Sequence, residues 1–394
     1  MALASSPHLC DVVIVGAART PIGSFGGALA QVPATELGAI AIKGALEKAS
    51  LPASDVDACY MGNVCSAGLG QAPARQAALK AGLPPSCVCT TVNKVCASGL
   101  KSITLAAQDI ALGIAEVVVA GGMENMSATP YYLPKARFGY RMGDQSTIDG
   151  ILCDGLTDST EDKHMGTFAE RCAATHGFSR SAQDDYARMS YRRSVNAWSE
   201  GKFAGEIVPV RAMVGRKEVD IATMRPAFLK DGTGTVTSGN ASGLNDGAAA
   251  VVLMSRARAT QLDMAVLGTV TGFADAERAP ADFTIAPALA IPKALKRAGR
   301  KMDEVDVFEI NEAFAVVALA NCKLMGLEGG KVNVWGGAVS LGHPIGCGGA
   351  RIVVTLLSVM RERGGRVGVA GICNGGGGAT AMVVEREARV QSRI

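Results

Sequence analysis

A chain of 394 residues, 48% hydrophobic and 19% charged, is globular rather than disordered and long enough for two or three structural units. A net charge of +3 without any Lys/Arg run argues against nucleic acid as a partner, although a mildly basic site still attracts phosphate groups. Apolar segments broken well short of a span argue against a membrane, and eleven cysteines without a CxxC pair, with four histidines that do not cluster with them, indicate no metal centre.

The odd cysteine count and a start, MALASSPHLC, that lacks a secretory pattern point to free thiols in a reducing, cytoplasmic setting. The end, Ser392-Arg393-Ile394, is a loose relative of the peroxisomal Ser-Lys-Leu address and gives the alternative location.

Asp11 to Gly16, DVVIVG, has the texture of a buried strand, and Leu37 to Ser50 has helical periodicity. From Ala45 the chain reads ALEKASLPASDVDACYMG, and from Ala294 it reads ALKRAGRKMDEVDVFEIN, with Ala-Leu and Val-Asp at matching offsets. Gly99 onward and Gly349 onward share a second frame: G-x-(Lys/Arg), an amphipathic run, then V-x-V-A-G. The two matches keep almost one register, so the chain is a duplicated unit. Strands alternating with helices, including Val117–Ala120 and Val367–Ala370, predict a layered α/β core. The stretch from about Glu124 to Asn240 has no counterpart in the repeat and reads as a loop domain inserted over the first half.

Within NKVCASG, Cys96 precedes a predicted helix, where the helix dipole and free N–H groups favour a thiolate, and small neighbours admit a substrate. Taken alone, Cys96 is equally readable as an inert core thiol. Asn311 ends the predicted strand Val307–Ile310, where an amide can fix a water or simply cap a helix. His343 sits among glycines before a helix, where imidazole can accept a thiol proton or cap a turn. Cys373 ends a strand and is followed by Asn374 and four glycines, Gly375 to Gly378, whose N–H groups suit an oxyanion. No Lys-Ser/Thr follows those glycines, and Val15–Arg19 lacks G-x-G-x-x-G spacing, so nucleotide loops are not supported.

NKVCASG at 93–99, AGGMENMS at 120–127, GNASGLNDGAAA at 239–250, NEAF at 311–314, GHPIG at 342–346 and CNGGGG at 373–378 together resemble the thiolase family, most closely its acetoacetyl-CoA thiolase branch. The resemblance runs from Ala18 to Ala379. It implies an α/β thiolase fold: two duplicated halves in a five-layered α-β-α-β-α sandwich with an inserted loop domain. Residues 1–123 with 241–272 would form the N-terminal half, 124–240 the loop domain, and 273–394 the C-terminal half.

The same resemblance implies Cys96 as the nucleophile, His343 as its base, Cys373 as the second acid/base, Asn311 as the holder of a water, and the N–H groups of Cys96 and Gly375 as the oxyanion hole. It implies Ser242 at the pantetheine of CoA, His164 and Met165 at the acyl pocket, and Tyr191 near CoA. In a potassium-stimulated branch the matching cation contacts would be Tyr191, Ser238, Gly239, Ala241 and Val339. No other cofactor is implied; the partners would be acetyl-CoA, acetoacetyl-CoA and CoA, within a homotetramer built as a dimer of dimers.

The chain departs from the family pattern between Pro209 and Met224, where it is short and lacks the basic residues that meet the CoA nucleotide. Three alternatives stand beside the short-chain reading: a 3-ketoacyl-CoA thiolase of broader chain length, a ketoacyl synthase, and a catalytically poor carrier or scaffold. Ketoacyl synthases resemble a Cys-His-His set, which Cys373 breaks, and a degenerate carrier would be expected to lose site residues that persist here.

Overall fold

A computed structural model describes residues 11–211, 227–229 and 233–387. The C-terminal Ser-Arg-Ile and most of the shortened 210–223 segment lie outside the described residues. The long strands are β1 (Val12–Arg19), β2 (Ala58–Gly62), β3 (Val88–Val92), β4 (Val117–Asn125), β5 (Asn245–Ser255), β6 (Gly268–Glu277), β7 (Val307–Ile310), β8 (Val367–Asn374) and β9 (Gly378–Glu385). The principal helices are α1 (Ala34–Ala49), α2 (Pro73–Lys80), α3 (Ser98–Ala111), α4 (Met165–His176), α5 (Arg180–Ser199), α6 (Pro287–Arg297), α7 (Ala315–Met325) and α8 (Ile345–Arg363).

The strands form one sheet in the order β7-β8-β9-β6-β1-β5-β4-β2-β3. The duplication is visible in its pairing. In the first half β2 and β4 are parallel and β4 pairs antiparallel with β5. In the second, β7 and β8 are parallel and β8 pairs antiparallel with β9. β1 joins the halves by pairing Val12–Ile14 with Gly268–Val270 of β6.

The repeated Val-Asp pair has a physical task. Asp57 accepts the N–H groups of Glu116 and Val117 at 2.9 Å each, and Asp306 accepts those of Arg366 and Val367 at 2.7 and 2.9 Å. Each aspartate satisfies the donors that begin the neighbouring parallel strand, so it fixes where that strand starts.

Every residue of β4 and β5 is buried, as their Val, Ala and Gly content demands of strands covered on both faces. α1 and α2 cover the outer face of the first half, α6 covers that of the second, and α3 and α8 lie together between the two parts of the sheet. This is the five-layered α-β-α-β-α arrangement. Fully burying Leu37 and Ile42 of α1 contributes about 1.5–3 kcal/mol per side chain to holding the outer layer down. The central helices approach closely because glycine removes the obstacle. A Cβ on Gly122 would overlap the Gly346 carbonyl, and one on Gly99 would sit 2.8 Å from the Ala350 nitrogen.

The inserted segment does not lie over the first half alone. Ile151 packs there beside Val64 and Cys65, but α4 and α5 rest on α7 of the second half. The apolar faces decide this: Phe168 and Ala169 of α4 bury against Val316, Val317 and Ala320, while Tyr186 and Ala187 of α5 bury against Ala315 and Ala318.

Candidate active site

β3 runs into a sharp turn that ends in Cys96. Val95 has φ of 46°, a left-handed conformation that costs a β-branched residue roughly 1–3 kcal/mol. Flanking side chains hold it. Asn93 Oδ1 accepts the Val95 N–H at 3.0 Å, and Ser98 Oγ accepts the Lys94 N–H at 2.8 Å while donating to the Val95 carbonyl at 2.6 Å. Lys94 and Lys101 both pair with Asp275 on β6, at 2.8 and 2.7 Å. The cysteine turn is therefore built by the first half and tethered to the second.

His343 precedes α8 and is buried. Its backbone N–H donates to Asn245 Oδ1 at 2.9 Å, and Asn245 in turn donates to the Gly23 carbonyl at 2.9 Å. The Asn311 amide nitrogen lies 3.4 Å from His343 Nε2, while Asn311 Oδ1 and His343 Nδ1 have no hydrogen-bond partner among the described residues. Cys373 lies buried near the end of β8, and Gly375 follows in the turn to β9.

A cavity of about 330 Å³ brings these parts together. Cys96, His343 and Gly375 line it, with Ser242, Ser238, Ala241, His164 and Met165 on its other walls. Asn311 reaches it through His343, and Cys96 lies close enough to Cys373 to disfavour charge on the Cys373 sulfur. Ser242 Oγ donates to the Ala313 carbonyl at 2.8 Å. His164 caps α4 by accepting the Gly166 N–H at 3.0 Å, and its ring stacks on Phe228 at 4.8 Å.

Of the suggested cation contacts, Tyr191 and Val339 share one apolar cluster and Ser238 and Ala241 face the cavity. Gly239 is buried in the turn before Ala241, where its N–H donates to Thr237 Oγ1 at 3.2 Å. Among the described residues no group of His, Cys, Asp or Glu could hold a metal ion.

The electrostatics correct one sequence expectation. The helix dipole was expected to favour a Cys96 thiolate, but burial pushes that thiol up to about 11, although the N–H groups of Gly375 and Cys96 itself pull it back. Burial, with the nearby Arg351 charge, lowers His343 to about 3. The resting pair is thus neutral thiol and neutral imidazole at pH 7. Desolvation exceeds the dipole because the sulfur sits at the wall of a largely apolar cavity rather than on a fully exposed helix end. Burial first, then the proximity of Cys96, also raises Cys373 well above its ordinary range.

Sequence reading missed the supporting carboxylates. Glu124 is wholly buried and accepts from the N–H groups of Val64, Cys65 and Gly346 at 3.0, 3.2 and 2.9 Å and from Asn63 Nδ2 at 2.8 Å. Glu312 likewise accepts from Tyr186 at 2.9 Å, Ser190 at 2.8 Å, Asn333 at 2.9 Å and the Val339 N–H at 3.1 Å. The signal was an acidic residue inside an apolar strand end (GGMEN, INEAF), which demands partners wherever it is buried.

Comparison with known proteins agrees over nearly the whole chain. Residues 12–257 match the model for the thiolase N-terminal domain, and residues 264–386 match that for the thiolase C-terminal domain. The chain is 54% identical to the cytosolic acetyl-CoA acetyltransferase ERG10 of Gibberella zeae, covering 96% of this chain and 99% of that protein. It is 55% identical to acetyl-CoA acetyltransferase 2 of Arabidopsis thaliana, covering 95% of this chain and 97% of that one. The crystal structure of Acat5 thiolase from Ascaris suum in complex with coenzyme A superposes with a TM-score of 0.91 at 43% identity, covering 96% of this chain and 100% of that chain.

Proposed function

Because the chain belongs to the thiolase family, we propose that it is an acetyl-CoA C-acetyltransferase, converting two acetyl-CoA to acetoacetyl-CoA and CoA and running the reverse thiolysis. The observation that carries this reading is the meeting of Cys96, His343 and Gly375 on one small cavity, with Cys373 buried beside it.

In the capture step the Cys96 sulfur attacks the thioester carbonyl as its proton passes to His343. Both groups are neutral at rest, so charge develops only along the reaction path. The Cys96 and Gly375 N–H groups receive the oxyanion, and CoA leaves with the proton from His343. In the condensation step Cys373 first loses its own proton to solvent and, as a thiolate, removes the α-proton of a second acetyl-CoA. A thiol raised by burial is a strong base once ionised, which matches the weak acidity of that C–H bond. His343 and a water held by Asn311 stabilise the enolate oxygen. The carbanion attacks acetyl-Cys96, the carbon–carbon bond forms, and the Cys96 thiolate leaves. That thiolate regains a proton from Cys373, which closes the cycle. In thiolysis Cys373 returns the proton to the departing carbanion.

Stacked His164 and Phe228, with Met165, bound the cavity, and its small volume supports a short acyl group. Ser242 and Tyr191 are assigned to the pantetheine and CoA side. The activating cation would be K⁺, which Tyr191, Ser238, Gly239, Ala241 and Val339 would hold; it would supply positive charge beside the CoA pocket. Among the described residues no helix is long and apolar enough to cross a membrane, and the proposed location is the cytoplasm. The proposed assembly is a homotetramer, which sedimentation of the purified protein tests directly.

The deciding experiment is CoA-dependent thiolysis of acetoacetyl-CoA, with acetylated Cys96 identified by mass spectrometry after a quench. Turnover with the label on Cys96 supports the proposal. Folded protein that neither turns over nor acquires the label would sink it and favour the carrier reading.

A further inference from the structure

The proposed capture step needs two N–H groups, one from each half of the chain, at one fixed separation. Cys96 closes the turn that follows β3, and Gly375 opens the turn between β8 and β9. The two turns face each other. A Cβ placed on Gly375 would stand 3.5 Å from Val95 Cγ1, and the Gly375 N–H reaches the Cys96 sulfur. Each turn is shaped within its own half. Asn93 and Ser98 hold the first. In the second, Asn374 Nδ2 donates to the Gly375 carbonyl at 2.7 Å, and the Gly377 carbonyl accepts the Arg278 N–H at 2.9 Å.

Between the two turns lies a carboxylate bonded to both sides. Asp275 Oδ1 accepts from Lys94 Nζ at 2.8 Å and from Thr380 Oγ1 at 2.6 Å, and its Oδ2 accepts from Lys101 Nζ at 2.7 Å. Lys94 stands two residues before Cys96, and its carbonyl accepts the Ala97 N–H at 3.1 Å. Lys101 is early in α3. Thr380 is wholly buried on β9, opposite Asp275 in the ladder and just past the glycine turn. Lys94 Nζ also pairs with Glu277 at 3.3 Å. Burial raises the Asp275 carboxyl, but the bonds from Lys101, Lys94 and Thr380 outweigh it and draw it down to about 2, so it is ionised throughout the neutral range. Asp275, Lys94 and Lys101 keep 36%, 19% and 24% exposure, and ion pairs so open to water contribute only about 0–1 kcal/mol to stability. Their geometry has the larger consequence, because displacing a catalytic group by about 1 Å costs about a hundredfold in rate.

We propose that Asp275 is a positioning residue for the oxyanion hole: by holding Lys94 and Lys101 on one side and Thr380 on the other, it sets the separation of the Cys96 and Gly375 N–H groups. The inference rests on the acetyl-transfer reading of the site. Asp275 touches no reacting atom and exchanges no proton with the substrate. It acts through the two turns, whose N–H groups must both point at the oxygen as negative charge gathers there.

The test compares the full-length unsubstituted protein with Asp275→Ala and Thr380→Val. Acetylation of Cys96 by acetyl-CoA is timed by rapid quench and mass spectrometry. The carbonyl stretch of the acetyl-enzyme is read by infrared difference spectroscopy with acetyl-CoA isotope-labelled at the carbonyl. Asp275→Ala should slow acetylation roughly ten- to a hundredfold with KM for acetyl-CoA nearly unchanged. It should also move the carbonyl band to higher frequency, toward that of free acetyl-CoA, because the hydrogen bonds that lower it are weakened. Thr380→Val, which cuts only the second-half arm, should move both readings the same way by less, and it carries the test if Asp275→Ala does not fold. An unchanged rate and band in folded variants would overturn the proposal. So would a slower rate with an unmoved band, the result a merely structural carboxylate gives. Unsubstituted protein that takes no acetyl group at Cys96 overturns the acetyl-transfer reading itself, and is told apart because no substitution is involved.

Discussion

The two halves place different chemistry in the same slots. At the end of β2 the first half has Gly62 and Asn63; at the end of β7 the second half has Asn311 and Glu312. Where β4 continues into Met123 and Glu124, β8 continues into Cys373 and Asn374. In front of α3 the first half sets Cys96 on a strained turn, while in front of α8 the second half sets His343 on Asn245. Duplication supplied two equivalent strand ends and two equivalent helix starts. In the proposed mechanism acyl capture falls to the first half and proton handling to the second, with a buried carboxylate bracing each side.

The largest test of this division is Cys96→Ala. Removing the nucleophile should reduce both directions of reaction on the order of a thousandfold or more, read by thiolysis and condensation assays. A retained rate would place capture elsewhere. Cys373→Ala should separate the halves' tasks: the amount of acetyl-Cys96 formed from acetyl-CoA stays near normal, while condensation falls by about 10²–10⁴-fold. Equal loss of both would break the comparison.

Gly348→Ala sharpens it. A Cβ there would stand 2.5 Å from the His343 ring, which is buried and has Asn311 against its Nε2. A fall in kcat of roughly ten- to a hundredfold is expected from displacing the imidazole, with circular dichroism unchanged.

The smallest effect concerns Glu124, which burial raises to about 7 against the hydrogen bonds that favour its ionised form. The folded state therefore holds a proton that the unfolded state releases near pH 4.5. This contribution is fully present below that pH and is lost as pH rises toward 7, a decline on the order of 1–3 kcal/mol. Glu124→Gln should flatten that part of the pH–stability curve, measured by urea unfolding at pH 5 and pH 7.5. An unchanged slope would assign it to another group, such as Glu309, which burial raises to about 8.

The repeat was legible because the Val-Asp and V-x-V-A-G frames serve backbone needs that both halves share, and Asp57 and Asp306 make those needs concrete. The placement of Cys96, His343 and Cys373 at element ends was legible. Their protonation was not, since desolvation depends on the layers that close over them and no local pattern encodes it. The roles of Asn93 and Ser98 were hidden for a related reason. A left-handed valine is invisible in sequence, and the side chains that hold it look like ordinary turn residues. The seating of α4 and α5 on the second half depended on matching apolar faces far apart in the chain.

The position of β1 bears on how the polypeptide emerges from the ribosome. Val12 pairs with Ser255 on one side and Val270 on the other, so the first strand made finds both its neighbours among late-synthesised residues. Until they appear, a Val-rich segment waits unpaired, and so distant a pairing costs loop-closure entropy before its contacts form. That pairing joins β1 to the strand that opens the second copy, and the later strands β7, β8 and β9 complete the sheet beyond it.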